Sequence, residues 1–69
     1  MKHYNLKRYK ILDAGYVCFN GAVLNQAQCN SVNQESAEIN RYIDAGLPVT
    51  DEMLNRSNYA FKMAAGLYK

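Results

Sequence analysis

The segment KHYNLKRYK, residues 2–10, sets Lys2, Lys7, Arg8 and Lys10 among Tyr4 and Tyr9. Cations at such spacing hold phosphates, and tyrosine faces stack on bases. Lys2, Tyr4, Lys7, Arg8, Tyr9 and Lys10 are therefore the candidate site for a nucleic acid or a phosphate-bearing nucleotide. Covalent chemistry has fewer candidates. His3 is the single histidine, and Cys18 and Cys29 are the two thiols. A Cys–His pair would need a terminal segment to fold back onto the core, and Cys18 fits better as a small buried hydrophobe. Asp13, Asp44 and Asp51 fall at expected helix ends, where capping and dipole roles account for them. The chain has no CxxC and no glycine-rich phosphate loop, and its Cys and His are too few for a metal-binding quartet. The expectation is a protein that is not an enzyme, with no catalytic residues, no metal and no cofactor, and with free thiols rather than a bridge.

A second candidate surface is apolar. In the last third, Leu54, Ser57, Phe61, Ala64 and Tyr68 recur on one helical face, and Met53, Ala60, Met63 and Leu67 on the adjacent one. One small core has no use for both. Met53, Leu54, Phe61, Met63, Leu67 and Tyr68 are accordingly the candidate contacts for a protein partner, since methionine adapts to irregular surfaces and tyrosine is enriched at interfaces.

The elements that must position these residues announce themselves through their ends. Asp13-Ala14-Gly15, Asp44-Ala45-Gly46 and Ala64-Ala65-Gly66 are each followed by Tyr or Leu. Glycine just past a helix takes the left-handed conformation cheaply, and an apolar residue then covers the last turn. Three helix ends are expected, with Gly46 at positive φ and Leu47 over Tyr42. A middle helix over 32–45 follows from Ser31 as N-cap, Gln34 as its capping-box partner, and Val32, Ser36, Ile39 and Ile43 on one face. Glu35, Glu38, Asn40 and Arg41 fall on the solvent side. A last helix over 51–65 starts at Thr50, with Asp51 and Glu52 in its first turn and a staple between Val49 and Leu54. The two form a helical hairpin across residues 46–50.

The first third reads two ways. Residues 6–14 suit a short helix capped by Asn5, with Leu6, Tyr9 and Leu12 on one side, or a strand. In 16–24, Asn20-Gly21 between apolar runs signals a β-hairpin with a type I′ turn. The alternative caps at Asn20 and runs one helix over 22–45, which puts Cys29 and Val32 in register. The expected class is α+β, a β-hairpin or short helix followed by a helical hairpin, with all-α as the alternative.

Sixty-nine residues allow one small domain, 1–69, whose core is thin, and residues 1–10 are expected to be mobile. Residues 1–10 carry four positive charges, 11–61 carry six acids against two arginines, and 62–69 carry two lysines. A helix-turn-helix reader is disfavoured, because its recognition helix would open on Asp51 and Glu52. No apolar run spans a membrane and no secretory h-region is present, so the expected setting is cytoplasmic. The sequon Asn55-Arg56-Ser57 then has no role. Abundant Asn, Lys and Tyr fit an AT-rich genome such as a phage's. The function expected from these residues is non-catalytic binding of a protein, as an inhibitor, adaptor or accessory protein, with self-association to a homo-oligomer. The alternative is capture of nucleic acid or a phosphate ligand by the basic segment.

Overall fold

A computed structural model describes residues 7–67. Helix α1 spans Gln26–Asp44 and helix α2 spans Asp51–Ala64, and the two pack on each other as the expected helical hairpin. Among the described residues there is no strand, only an isolated antiparallel bridge between Val17 and Val23. The α+β expectation is thereby corrected to its all-α alternative.

Helix α1 begins six residues before the expected 32. Two capping patterns compete in this stretch, Asn25-x-x-Gln28 and Ser31-x-x-Gln34. The upstream one forms: Asn25 Oδ1 accepts from the Gln28 N–H at 2.9 Å, and Gln28 Oε1 accepts from the Asn25 N–H at 2.8 Å. Its extra turns bring fully buried Cys29 into line with Val32, Ser36 and Ile39. Ser31 is no cap. It sits inside the helix, and its hydroxyl donates to the Ala27 carbonyl one turn back at 3.2 Å.

The other helix boundaries fall within one residue of those expected, at Asp44, Asp51 and Ala64. Thr50 Oγ1 accepts from the Met53 N–H at 3.2 Å, and Val49 and Leu54 meet in the same apolar cluster. At the end of α1 the Leu47 N–H reaches the Tyr42 carbonyl at 2.9 Å and the Gly46 N–H reaches Ile43 at 3.1 Å, with Gly46 at φ 71°. That is the Schellman pattern, and α2 ends in the same way at Gly66 and Leu67. A Cβ at position 46 would meet nothing within 4 Å, so only conformation resists it. Gly46→Ala should cost about 1 kcal/mol, lowering the thermal midpoint by roughly 4–8 °C. An unchanged midpoint would remove the cap from the account.

Gly15 is a stop of another kind. Among the described residues no helix precedes it. The Tyr16 N–H bonds the Asp13 carbonyl at 3.1 Å with Gly15 at φ 96°, a type II turn. The Asn20-Gly21 signal does mark a reversal, but not the type I′ turn. Gly21 has φ 87°, whereas Asn20 is not at positive φ. The Gly21 N–H bonds Cys18, and the Cys18 N–H bonds Ala22 at 2.8 Å. This is the three-residue loop in which a left-handed glycine closes a turn, and its arms pair only at the Val17–Val23 bridge rather than extending into strands.

Two apolar clusters lie along the hairpin. Leu12, Cys18, Leu24, Cys29, Val32 and Ala65 form one, flanked by Tyr16 and Phe61. Ile39, Val49 and Met53 form the other, flanked by Tyr9, Tyr42, Ile43 and Leu54. Buried Ser36 and Ser57 fall between the clusters on their respective helices. Among the described residues no helix is long and apolar enough to cross a membrane.

Candidate functional site

Residues 7–13 adopt neither the helix nor the strand expected over 6–14. They form a strap held to α1 by side chains. The Tyr9 N–H donates to Asn40 Oδ1 at 2.6 Å, and Asn40 Nδ2 donates to the Tyr9 carbonyl at 2.9 Å. Asn33 does the same for Leu12, at 2.7 and 2.8 Å. Each amide thus satisfies both main-chain groups of one strap residue, as a neighbouring strand would.

Beyond this pair, Arg8 meets Asp44 in an exposed ion pair, and the Cys29 thiol donates to the Asp13 carbonyl at 3.3 Å. Numbers fall on α1 as they rise on the strap, so the two run antiparallel. Seven helical residues from Asn33 to Asn40 rise about 10 Å. Three strap residues from Tyr9 to Leu12 cover about the same distance only when extended. The spacing of the amides therefore fixes the strap's conformation. The placement of Asn40 on the solvent side of α1 is corrected here: it is buried.

The strap absorbs part of the expected anion site. Tyr9 is half-buried against Ile39, Val49 and Met53, and Arg8 faces Asp44. Lys7 and Lys10 are exposed, while Lys2, Tyr4 and His3 lie outside the described residues. The other two arginines also meet carboxylates: Arg41 with Glu38 at 2.9 Å and Arg56 with Glu35 at 3.4 Å. Cys18 and Cys29 are free and buried. Among the described residues no three His, Cys, Asp or Glu side chains gather into a group able to hold a metal.

The expected partner face divides. Met53 is core, at 7% exposure. Leu54 is half-buried on the second cluster. Phe61 is half-buried and meets the Tyr16 ring edge-on, with centroids 6.4 Å apart. Met63 and Leu67 are exposed, and Tyr68 lies outside the described residues. Exposed Tyr59 continues the Met63 line one turn earlier, and the two border a shallow groove against Gln28, Ser31 and Glu35 of α1.

Sequence reasoning missed Val17, Phe19 and Val23, which are 59%, 82% and 63% exposed. The signal was present in the alternation of Val17 and Phe19 about buried Cys18. Asn20 Nδ2 donates to the Ala65 carbonyl at 3.0 Å and Gln28 Nε2 to the Ala64 carbonyl at 3.4 Å, so the loop and the first turn of α1 together cap the last turn of α2. Phe19 and Leu67 lie one and two residues from the two ends of the Asn20–Ala65 hydrogen bond, whereas two further exposed apolar residues, Ile11 and Leu47, lie on the strap and at the turn between the helices.

The described residues define a class by architecture: a helical hairpin with a clamped strap and an apolar end. No family model, curated protein or solved structure matches the chain.

Proposed function

We propose that the chain is a small, non-catalytic cytoplasmic binding protein that works through protein–protein contacts, as an inhibitor, adaptor or accessory protein, and that it self-associates. One observation carries the reading: Tyr59, Met63, Leu67, Phe19, Val17 and Val23 stand exposed around the end where Asn20 ties the loop to α2. Large exposed apolar patches are uncommon on monomers and mark contact sites. A second copy is its occupant, because two-fold pairing lets one patch cover itself. Free thiols at Cys18 and Cys29 fit a reducing compartment.

Capture of nucleic acid or a phosphate ligand by the basic segment is not favoured beside this reading, since Arg8 already faces a carboxylate and the Tyr9 ring is turned into the core.

Sedimentation at micromolar concentration should show a species heavier than the monomer. Met63→Glu should shift it toward monomer by tenfold or more, at about 1.4 kcal/mol for each tenfold. Because Met63 is 49% exposed, the variant should keep its helical circular dichroism. A variant that unfolds instead would place Met63 in the core and end the interface reading.

A further inference from the structure

We propose that residues 7–13 exchange between two copies of this chain, each strap lying on the α1 of the other. The proposal rests on the reading that the chain self-associates, and names the contact that specifies it.

The site for the strap is built into α1. Asn33 and Asn40 address only main-chain groups of Leu12 and Tyr9, and the Cys29 thiol addresses only the Asp13 carbonyl. Asp44 adds one preference, for a cation before the aromatic residue. These groups hold an extended segment bearing Arg-Tyr and, three residues past the Tyr, an aliphatic residue. They do not register which molecule that segment belongs to. A second copy carries a fitting segment by construction.

The strap is also separable. It joins the rest of the chain through the single turn at 13–16, closed by the hydrogen bond from Tyr16 to Asp13 and strung on Gly15 at φ 96°. Opening that turn loses this bond and bears on a second, from the Gly15 N–H to the Leu24 carbonyl at 2.8 Å, whereas the tethers between strap and α1 re-form across the pair. Such exchange is a low-cost route to a dimer, because the two states share their contacts. The strap is not tightly packed either. A cleft of about 170 Å³ remains between Tyr9 and Leu12 on the strap and Val32, Ser36, Ser57 and Phe61 beneath. The cleft is open and wide enough for water, so part of the strap's apolar surface is already uncovered and lifting it exposes less than its length suggests.

The hinge decides between the closed and exchanged forms. Gly15→Ala penalises the closed turn alone, since an opened hinge no longer needs positive φ. A residue with Cβ in that conformation is disfavoured by roughly tenfold, so two relieved hinges should raise the association constant by about a hundredfold. Ala14→Pro acts oppositely, because proline suits the second position of a type II turn. It should lower association.

The test is sedimentation of the full chain and both hinge variants across a concentration series, each checked for helical circular dichroism, with Met63→Glu placed in the Gly15→Ala background. Exchange is supported if Gly15→Ala strengthens dimerisation, Ala14→Pro weakens it, and the Gly15→Ala dimer survives Met63→Glu. If both hinge variants associate as the unaltered chain does and Met63→Glu alone abolishes association, exchange is overturned and the apolar end remains the contact. If Gly15→Ala does not fold, Ala14→Pro decides, and undiminished association there overturns the proposal. A monomer at every concentration in all variants overturns exchange and self-association together.

Discussion

Replacing Ile39 with Ala should leave the chain largely unfolded at physiological temperature. Ile39 is 1% exposed and anchors the cluster that joins α1 to Val49 and Met53. Truncation of such a side chain costs about 2–5 kcal/mol in lost transfer energy and residual cavity. A core of this size supplies only about 3–5 kcal/mol in total. The thermal midpoint should fall by more than about 10 °C, at roughly 4–8 °C for each kcal/mol, with loss of the helical signal. A fall of only a degree or two would mean that the second cluster contributes little and that the first holds the hairpin alone.

Asn40→Ala is expected to have the next largest effect, and for a different reason. The side chain is 4% exposed and serves both main-chain groups of Tyr9. Its removal leaves a part-buried donor and acceptor without partners, at about 1–3 kcal/mol for each group that water does not reach. The urea midpoint should fall by an amount equivalent to about 2–4 kcal/mol, and the Tyr9 amide should lose its protection against hydrogen exchange. Asn33→Ala should act in the same direction but more weakly, because Asn33 is only half-buried. If the Tyr9 amide stays protected in Asn40→Ala, the strap is held by its apolar side chains and the amide clamp is incidental.

What was legible in the sequence was local. Thr50, Val49 with Leu54, and the glycines at 46 and 66 act within one turn of a helix end, so the whole of α2 and the end of α1 could be read directly. The start of α1 could not. Asn25 and Ser31 offer equivalent capping patterns, and the choice between them rests on where Cys29 is buried, a tertiary fact. The strap was illegible for a deeper reason. Amides that pair with main chain 21 and 31 residues away leave no periodicity, and Asn40 read as a solvent-facing residue among charges. The apolar end is half legible: Met63 and Leu67 fall on an apolar helical face in the sequence, whereas Met53 belongs to the core and Phe19 reads as part of a hairpin strand.

The antiparallel docking of the strap also sets an order of events during synthesis. Tyr9 leaves the ribosome 31 residues before Asn40, and Leu12 21 residues before Asn33. At about 5–20 residues per second, the strap waits roughly 2–6 s for the later of its two amide clamps. The strap is made before the helix that clamps it and is among the last parts to be secured. Through that interval the main-chain groups of Tyr9 and Leu12 have no α1 of their own to pair with.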